Sequence, residues 1–161
     1  MKTTGCLTLV SFGLIATFTL PIFGSGGGEA NRAPENEVVE CLRAIEVAAE
    51  KLDVDAVYDH VMDNDRGALV QNGRVLLTRE KALESTREGY VGVRKVKYIL
   101  GQEHVTMLAK DLALVVSDGQ SQIELDDGRA FATSFAQSVI LKRVDGIWKV
   151  LHAHRSFPAR P

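Results

Sequence analysis

Two histidines spaced by two residues, with an arginine beside the second, close the chain in the stretch Trp148-Lys149-Val150-Leu151-His152-Ala153-His154-Arg155-Ser156. Imidazole exchanges protons near neutral pH and ligates metals, and guanidinium holds carboxylates through paired hydrogen bonds. The segment follows an Asp145-Gly146 turn signal and has the composition of a β-strand. Regular alternation along such a strand predicts His152 and His154 on one face with Trp148 and Val150, and Leu151, Ala153 and Arg155 on the other. Two imidazoles are an incomplete zinc site. The remaining histidines, His60 and His104, occur in unrelated contexts, and there is neither an HExxH spacing nor a CxxC pair, so no metal is expected.

A second group of polar residues falls on earlier segments. Asp55 and Asp59 are four residues apart, hence on one face of a helix, with Tyr58 between them, while Tyr90 and Tyr98 carry further hydroxyls. General acid–base work on an enolisable carbonyl needs a base tuned toward neutrality and a donor for the developing oxyanion. Asp59 is the carboxylate candidate only because it shares a helical face with Asp55; spacing alone assigns no dyad, and helical aspartates are more commonly caps or surface charges. The other acidic clusters, Asp126-Asp127-Gly128 and Asp145-Gly146, read as turns, and the alternating oxygen ligands of a calcium loop are missing. Gly24 to Gly28 have no preceding strand and no following Lys-Ser or Lys-Thr, so they form a linker rather than a phosphate loop, and no cofactor is expected.

These side chains need elements to position them. From Glu37 to Leu52, Val38, Cys41, Leu42, Ile45, Ala48, Ala49 and Leu52 recur at spacings of three and four, one apolar face of a helix. Asp53 or Asp55 can cap a short second helix running to about Val61. Asn72-Gly73 between two apolar pairs is a hairpin signal, and Thr78 can cap a third helix over Arg79 to Gly89. The period then changes. Val93 to Ala109, Leu112 to Leu125, Arg129 to Arg143 and Trp148 to Ser156 read as four long strands joined by tight turns, with Gly101 marking a bend in the first. Helices followed by a strongly bent antiparallel sheet make an α+β fold.

The Trp148-x-x-x-His152-x-His154-x-Ser156 ending and this order of elements resemble the nuclear-transport-factor-2-like superfamily, in particular its SnoaL-like members and the association domain of calcium/calmodulin-dependent protein kinase II. The resemblance covers about residues 36 to 158. It implies a cone in which three N-terminal helices pack on the sheet around a cavity, and a homodimer formed through the outer sheet face. In the association domain an arginine at the position of Arg155 belongs to a basic pocket for small carboxylates, which implies an anion-binding role for Arg155. The further pocket arginine of that domain has no counterpart here, where the preceding strand shows Ser138-Val139-Ile140-Leu141. Tyr58, Tyr90, His152, His154 and Arg155 are the residues expected at the cavity or its mouth.

With 161 residues and a formal net charge of -2, the domain is a single core without a basic patch for nucleic acid. Residues 1–30 differ from the rest: a lysine start, an uncharged apolar run from Cys6 to Phe23, then small residues suiting cleavage after Gly26 or Ala30. This is the layout of a secretory signal peptide, predicting a secreted or periplasmic domain over 31–161, or a membrane-anchored one if residues 6–23 remain. Removing it leaves Cys41 as a lone thiol, read as a core residue. The expected function is binding of a small polar or anionic organic molecule as a homodimer. The alternatives are a lyase, isomerase or hydrolase using Asp59 and His154, and an oligomerisation module.

Overall fold

The computed structural model of the protein describes residues 32–158. The signal-peptide reading of residues 1–30 lies outside them. Helix α1 (Ala33–Glu50) starts with a proline in its first turn, where a missing N–H costs nothing, and buries Val38, Cys41, Leu42, Ala48 and Ala49. Leu52 turns the chain with φ of 60°, and Asp53 then accepts a 3.0 Å bond from the Ala56 amide to cap α2 (Val54–Asp59). This helix is shorter than the sequence predicts: Val61 instead bridges in parallel to Val150. Strands β1 (Leu69–Gln71) and β2 (Arg74–Leu76) form the expected hairpin, with Asn72 and Gly73 both at positive φ. Helix α3 (Arg79–Gly89) is capped by the Thr78 hydroxyl, which accepts from the Lys81 amide at 3.2 Å.

The remaining strands are β3 (Val93–Leu100), β4 (His104–Ala109), β5 (Leu112–Leu125), β6 (Ala130–Val144) and β7 (Ile147–Ser156). Their order is β2-β1-β7-β6-β5-β3, and β4 continues the line of β3 along the same edge of β5. The break falls at Gly101, whose amide bonds the Asp118 carbonyl at 2.9 Å and where a Cβ would run into the Asp118 side chain. A close backbone crossing therefore creates the bend that the glycine signals. The all-antiparallel expectation needs one correction. β1 runs parallel to β7, pairing Leu69 with Ala153 and Gln71 with Arg155, so the curved, unclosed sheet is mixed. The hairpin thereby extends the sheet beyond β7 and adds a wall beside its second half.

A second correction concerns the faces of β7. Leu141 of β6 pairs with Val150, but the adjacent Ile140 pairs with His152, which leaves Leu151 as an extra residue in the ladder. Such a bulge reverses the alternation beyond it. Trp148 and Val150 consequently share the helix-facing side with Ala153 and Arg155, and His152 and His154 turn to the outer side. The unpaired Leu151 carbonyl accepts a 3.0 Å bond from the Asn64 side-chain amide. Satisfying that carbonyl removes the cost of leaving it orphaned.

At one end of the fold α1 lies directly on the sheet. Val38, Val115 and Leu141 are fully enclosed there, with Cys41, Ala113, Val139, Trp148 and Val150 around them. The Trp148 indole N–H donates to Glu37 at 3.1 Å, and Arg143 closes the group by pairing with the same carboxylate at 2.9 Å. The Cys41 thiol donates to the Trp148 carbonyl at 3.2 Å, and burial pushes its pKa up to about 11. It is a packed thiol, without the electropositive surroundings that make a nucleophile. Among the described residues no helix is long and apolar enough to cross a membrane.

Candidate functional site

Past this filled end the helices and the sheet diverge around a cavity of about 380 Å³. α1 contributes Ile45, Glu46 and Ala49, α2 contributes Val57 and Tyr58, and α3 contributes Thr86 with Tyr90 at its C-terminal cap. The sheet side is formed by Tyr98, Ser121, Thr133, Gln137 and Arg155. The exposed lining residues Asn72 and Gly89 mark the opening, between the hairpin turn and the end of α3. Inward positions on the long strands thus gain polar side chains along their length, from Ala113 and Val115 to Ser117 and Ser121 on β5, and from Leu141 and Val139 to Gln137 and Thr133 on β6, with Phe135 and Ile123 as the apolar residues among them.

Arg155 is the cationic centre of this space. Its guanidinium lies 4.4 Å from the centre of the Phe135 ring and 5.7 Å from that of Tyr98, so aromatic faces hold it flat. Nε and Nη2 donate to the Gln137 side-chain oxygen at 3.2 and 2.7 Å, and the Gln137 amide donates onward to Ser117 at 3.1 Å. Gln137 is neutral. No carboxylate among the described residues comes within ion-pair distance of Arg155, so its charge is oriented but not cancelled by a direct pair.

The tyrosines and one acid complete the lining. Thr86 spends its only hydroxyl proton on the Ala82 carbonyl at 2.9 Å, so in the 2.8 Å contact between Tyr58 and Thr86 the phenol must be the donor. The Tyr58 oxygen keeps lone pairs for a ligand. Burial raises the pKa of both Tyr58 and Tyr90, keeping each phenol protonated at neutral pH. Glu46 is pushed from 4.5 to about 7, first by burial and then by the charges of Glu103 and Glu50, against the opposing pull of Arg155 and Arg43. Among the described residues no hydrogen-bond donor reaches its carboxylate. Glu103, in the connection between β3 and β4, has one carboxyl oxygen buried without a partner, and desolvation raises its pKa as well.

Of the residues singled out in the sequence, Tyr58, Tyr90 and Arg155 come together around the cavity. His152 and His154 do not. The bulge at Leu151 turns them outward, where His152 donates its Nδ1 proton to the Gly67 carbonyl at 2.7 Å and His154 is exposed. Asp59 is also outside, its side chain 81% exposed and 3.7 Å from Arg79. Asp59 and His154 therefore share no point at which a substrate atom could sit, and that pairing is abandoned. No group of three or more His, Cys, Asp or Glu side chains suited to a metal gathers among the described residues.

A family model described as a SnoaL-like domain matches residues 38–160. The chain belongs to this SnoaL-like family. Among solved structures, the fold is similar to that of a candidate calcium/calmodulin-dependent protein kinase II association domain from Xanthomonas campestris, with 17% identity and a TM-score of 0.68 over 78% of this chain and 88% of that one. A candidate dehydratase of the NTF2-like family from Streptomyces avermitilis shows 18% identity and a TM-score of 0.69 over 78% and 97% of the two chains. A ketosteroid isomerase-like protein from Erwinia carotovora shows 18% identity and a TM-score of 0.65 over 78% and 96%. Identities this low carry the fold alone. A comparison with curated protein sequences gives no match. As a SnoaL-like domain, the chain has the α+β cone of the nuclear-transport-factor-2-like superfamily.

Proposed function

We propose that this SnoaL-like domain is an exported ligand-binding protein whose cavity takes a small polar or anionic organic molecule against Arg155. One observation carries the reading: a guanidinium held flat by Phe135 and Tyr98, fixed by neutral Gln137, and without a direct carboxylate partner inside a mostly apolar cavity. A partly buried charge without an ionic partner carries a desolvation cost, and an incoming carboxylate offsets that cost while making charge-assisted hydrogen bonds. Tyr58 and Tyr90 supply polar contacts for the rest of the ligand. Pairing of two copies through the outer sheet face fits the exposure of Ile99 and Val116 there. Export rests on the composition of residues 1–30.

The enzyme alternative loses its named pair, since Asp59 is on the surface and His154 on the outer sheet face. A purely structural oligomerisation module is a poorer fit to a hollow interior than to one filled by side chains. Calorimetric titration with a panel of small carboxylates tests the reading. Arg155→Ala is expected to lower the affinity for a bound carboxylate at least tenfold, the loss of about one charge-assisted pair, without unfolding the protein. Unchanged affinity in that variant removes Arg155 from the site.

A further inference from the structure

We infer that the cavity selects a carboxylate with a single negative charge and an uncharged, largely apolar body, and takes it up together with a proton held by Glu46. The inference rests on the anion-binding reading of Arg155 and adds to it the opposing charge in the same chamber. Arg155 on β7 is the cation that lines the cavity, and Glu46 on α1 is the acid that does so. With aliphatic and aromatic groups making up most of the remaining wall, a second anionic group on the ligand has no cation to meet and an acidic neighbour to avoid.

Glu46 has several charged or titratable neighbours. On its own helix these are Arg43 and Glu50, and Glu103 adds a second acid from the β3–β4 connection. Arg155 comes from β7, and the phenols of Tyr58, Tyr90 and Tyr98 come from α2, the end of α3 and β3. Two carboxyl groups in a partly desolvated space resist ionising together. The buried, unpartnered oxygen of Glu103 fits that arrangement, because desolvation favours a carboxyl that keeps its proton. Glu46 is thus divided between its two forms near pH 7. In the ionised form it partly neutralises the field of Arg155 and repels an entering carboxylate. Protonated, it leaves that field intact and offers a hydrogen-bond donor. Binding of a monocarboxylate raises the proton affinity of Glu46, and by reciprocity the proton raises the affinity for the monocarboxylate. Tyr58 and Tyr90 stay protonated throughout this range.

Benzoate and terephthalate, which differ by one carboxylate at the far end of the ring, are the probes, titrated calorimetrically into the protein at pH 6 and pH 8. For a group centred near pH 7 whose ionised form excludes the ligand, benzoate should bind about tenfold more weakly at pH 8 than at pH 6. At pH 7, about half a proton is taken up per benzoate, so heats measured in PIPES and in imidazole should differ by about half the difference between the two buffers' ionisation enthalpies. Glu46→Gln should abolish both the pH dependence and the proton uptake, which separates Glu46 from Glu103. Terephthalate should bind at least about tenfold more weakly than benzoate, as expected for one unpaired charge in a desolvated site. The same benzoate affinity at both pH values, with no proton uptake by the unsubstituted protein, overturns the inference and leaves the Arg155 reading standing. So does a pH dependence that survives in Glu46→Gln, or terephthalate bound as tightly as benzoate. Absence of benzoate binding to either protein at either pH overturns the anion-binding reading and this inference with it.

Discussion

The filled and hollow ends of this domain are built on the same three strands, and they differ in what their inward positions carry. On β5 the filled end presents Ala113 and Val115, both fully enclosed, whereas eight residues beyond Ala113 the hollow end presents Ser121. On β6 the change is from Leu141 and Val139 to Gln137 and Thr133, and on β7 from Trp148 and Val150 to Arg155. Small polar side chains neither fill the space under the helices nor repay full desolvation, so that half stays open while the other closes. A fold can thus divide its labour along a strand: one half supplies stability, and the other keeps a charged, shaped void.

The division is open to direct attack. Trp148→Ala strikes the filled end hardest, removing the indole from the core and one of the two donors that Glu37 meets; a loss of about 3–5 kcal/mol is expected in urea unfolding. A loss below about 1 kcal/mol would mean that Trp148 does not anchor that end. The two ends can next be compared by one chemical change on one strand. Ala113→Leu overpacks a site without free volume and should cost about 1–3 kcal/mol, whereas Ser121→Leu grows into the cavity and should change stability by less than about 1 kcal/mol while blocking ligand binding. Equal costs at the two positions would erase the distinction.

The smallest effect expected is the most specific to the hollow end. Because Glu46 holds its proton to about pH 7 in the folded chain and to about 4.5 otherwise, the folded state binds more protons between those values, and stability falls as pH rises through that window. Glu46→Gln cannot ionise and should therefore raise the melting temperature at pH 8 while leaving it nearly unchanged at pH 4. Identical shifts at both pH values would detach the effect from ionisation. The cavity-lining position of Glu46 predicts a modest difference, since its side chain is only half-buried.

Much of the fold was legible because the relevant signals are local. Asn72-Gly73 and Asp145-Gly146 adopt the positive φ angles their types favour, Thr78 caps the helix it precedes, and the three-and-four spacing from Val38 to Ala49 is the face that α1 buries. The shared face of His152, His154 and Trp148 failed because it assumes an unbroken ladder, and a bulge is a property of strand pairing that no alternation rule contains. The parallel pairing of β1 with β7 is likewise non-local. Glu46 was missed although a trace of it was present: it stands four residues after Leu42 and three before Ala49, on the margin of the apolar face rather than opposite it. Gln137 and Ser121 gave the corresponding signal on strands, as polar residues at inward positions between Phe135 and Val139 or between Gly119 and Ile123.

The bulge at Leu151 makes the sidedness of Arg155 a matter of parity. Val150 and Arg155 are five residues apart, an odd interval that sends side chains to opposite faces of a regular strand, and one surplus residue restores them to the same face. The surplus is held from a distance, since the carbonyl it frees is bound by Asn64, a loop residue 87 positions earlier. The one cation that lines the chamber among the described residues is therefore counted into place by the strand, and the count is kept by a side chain that never enters the chamber.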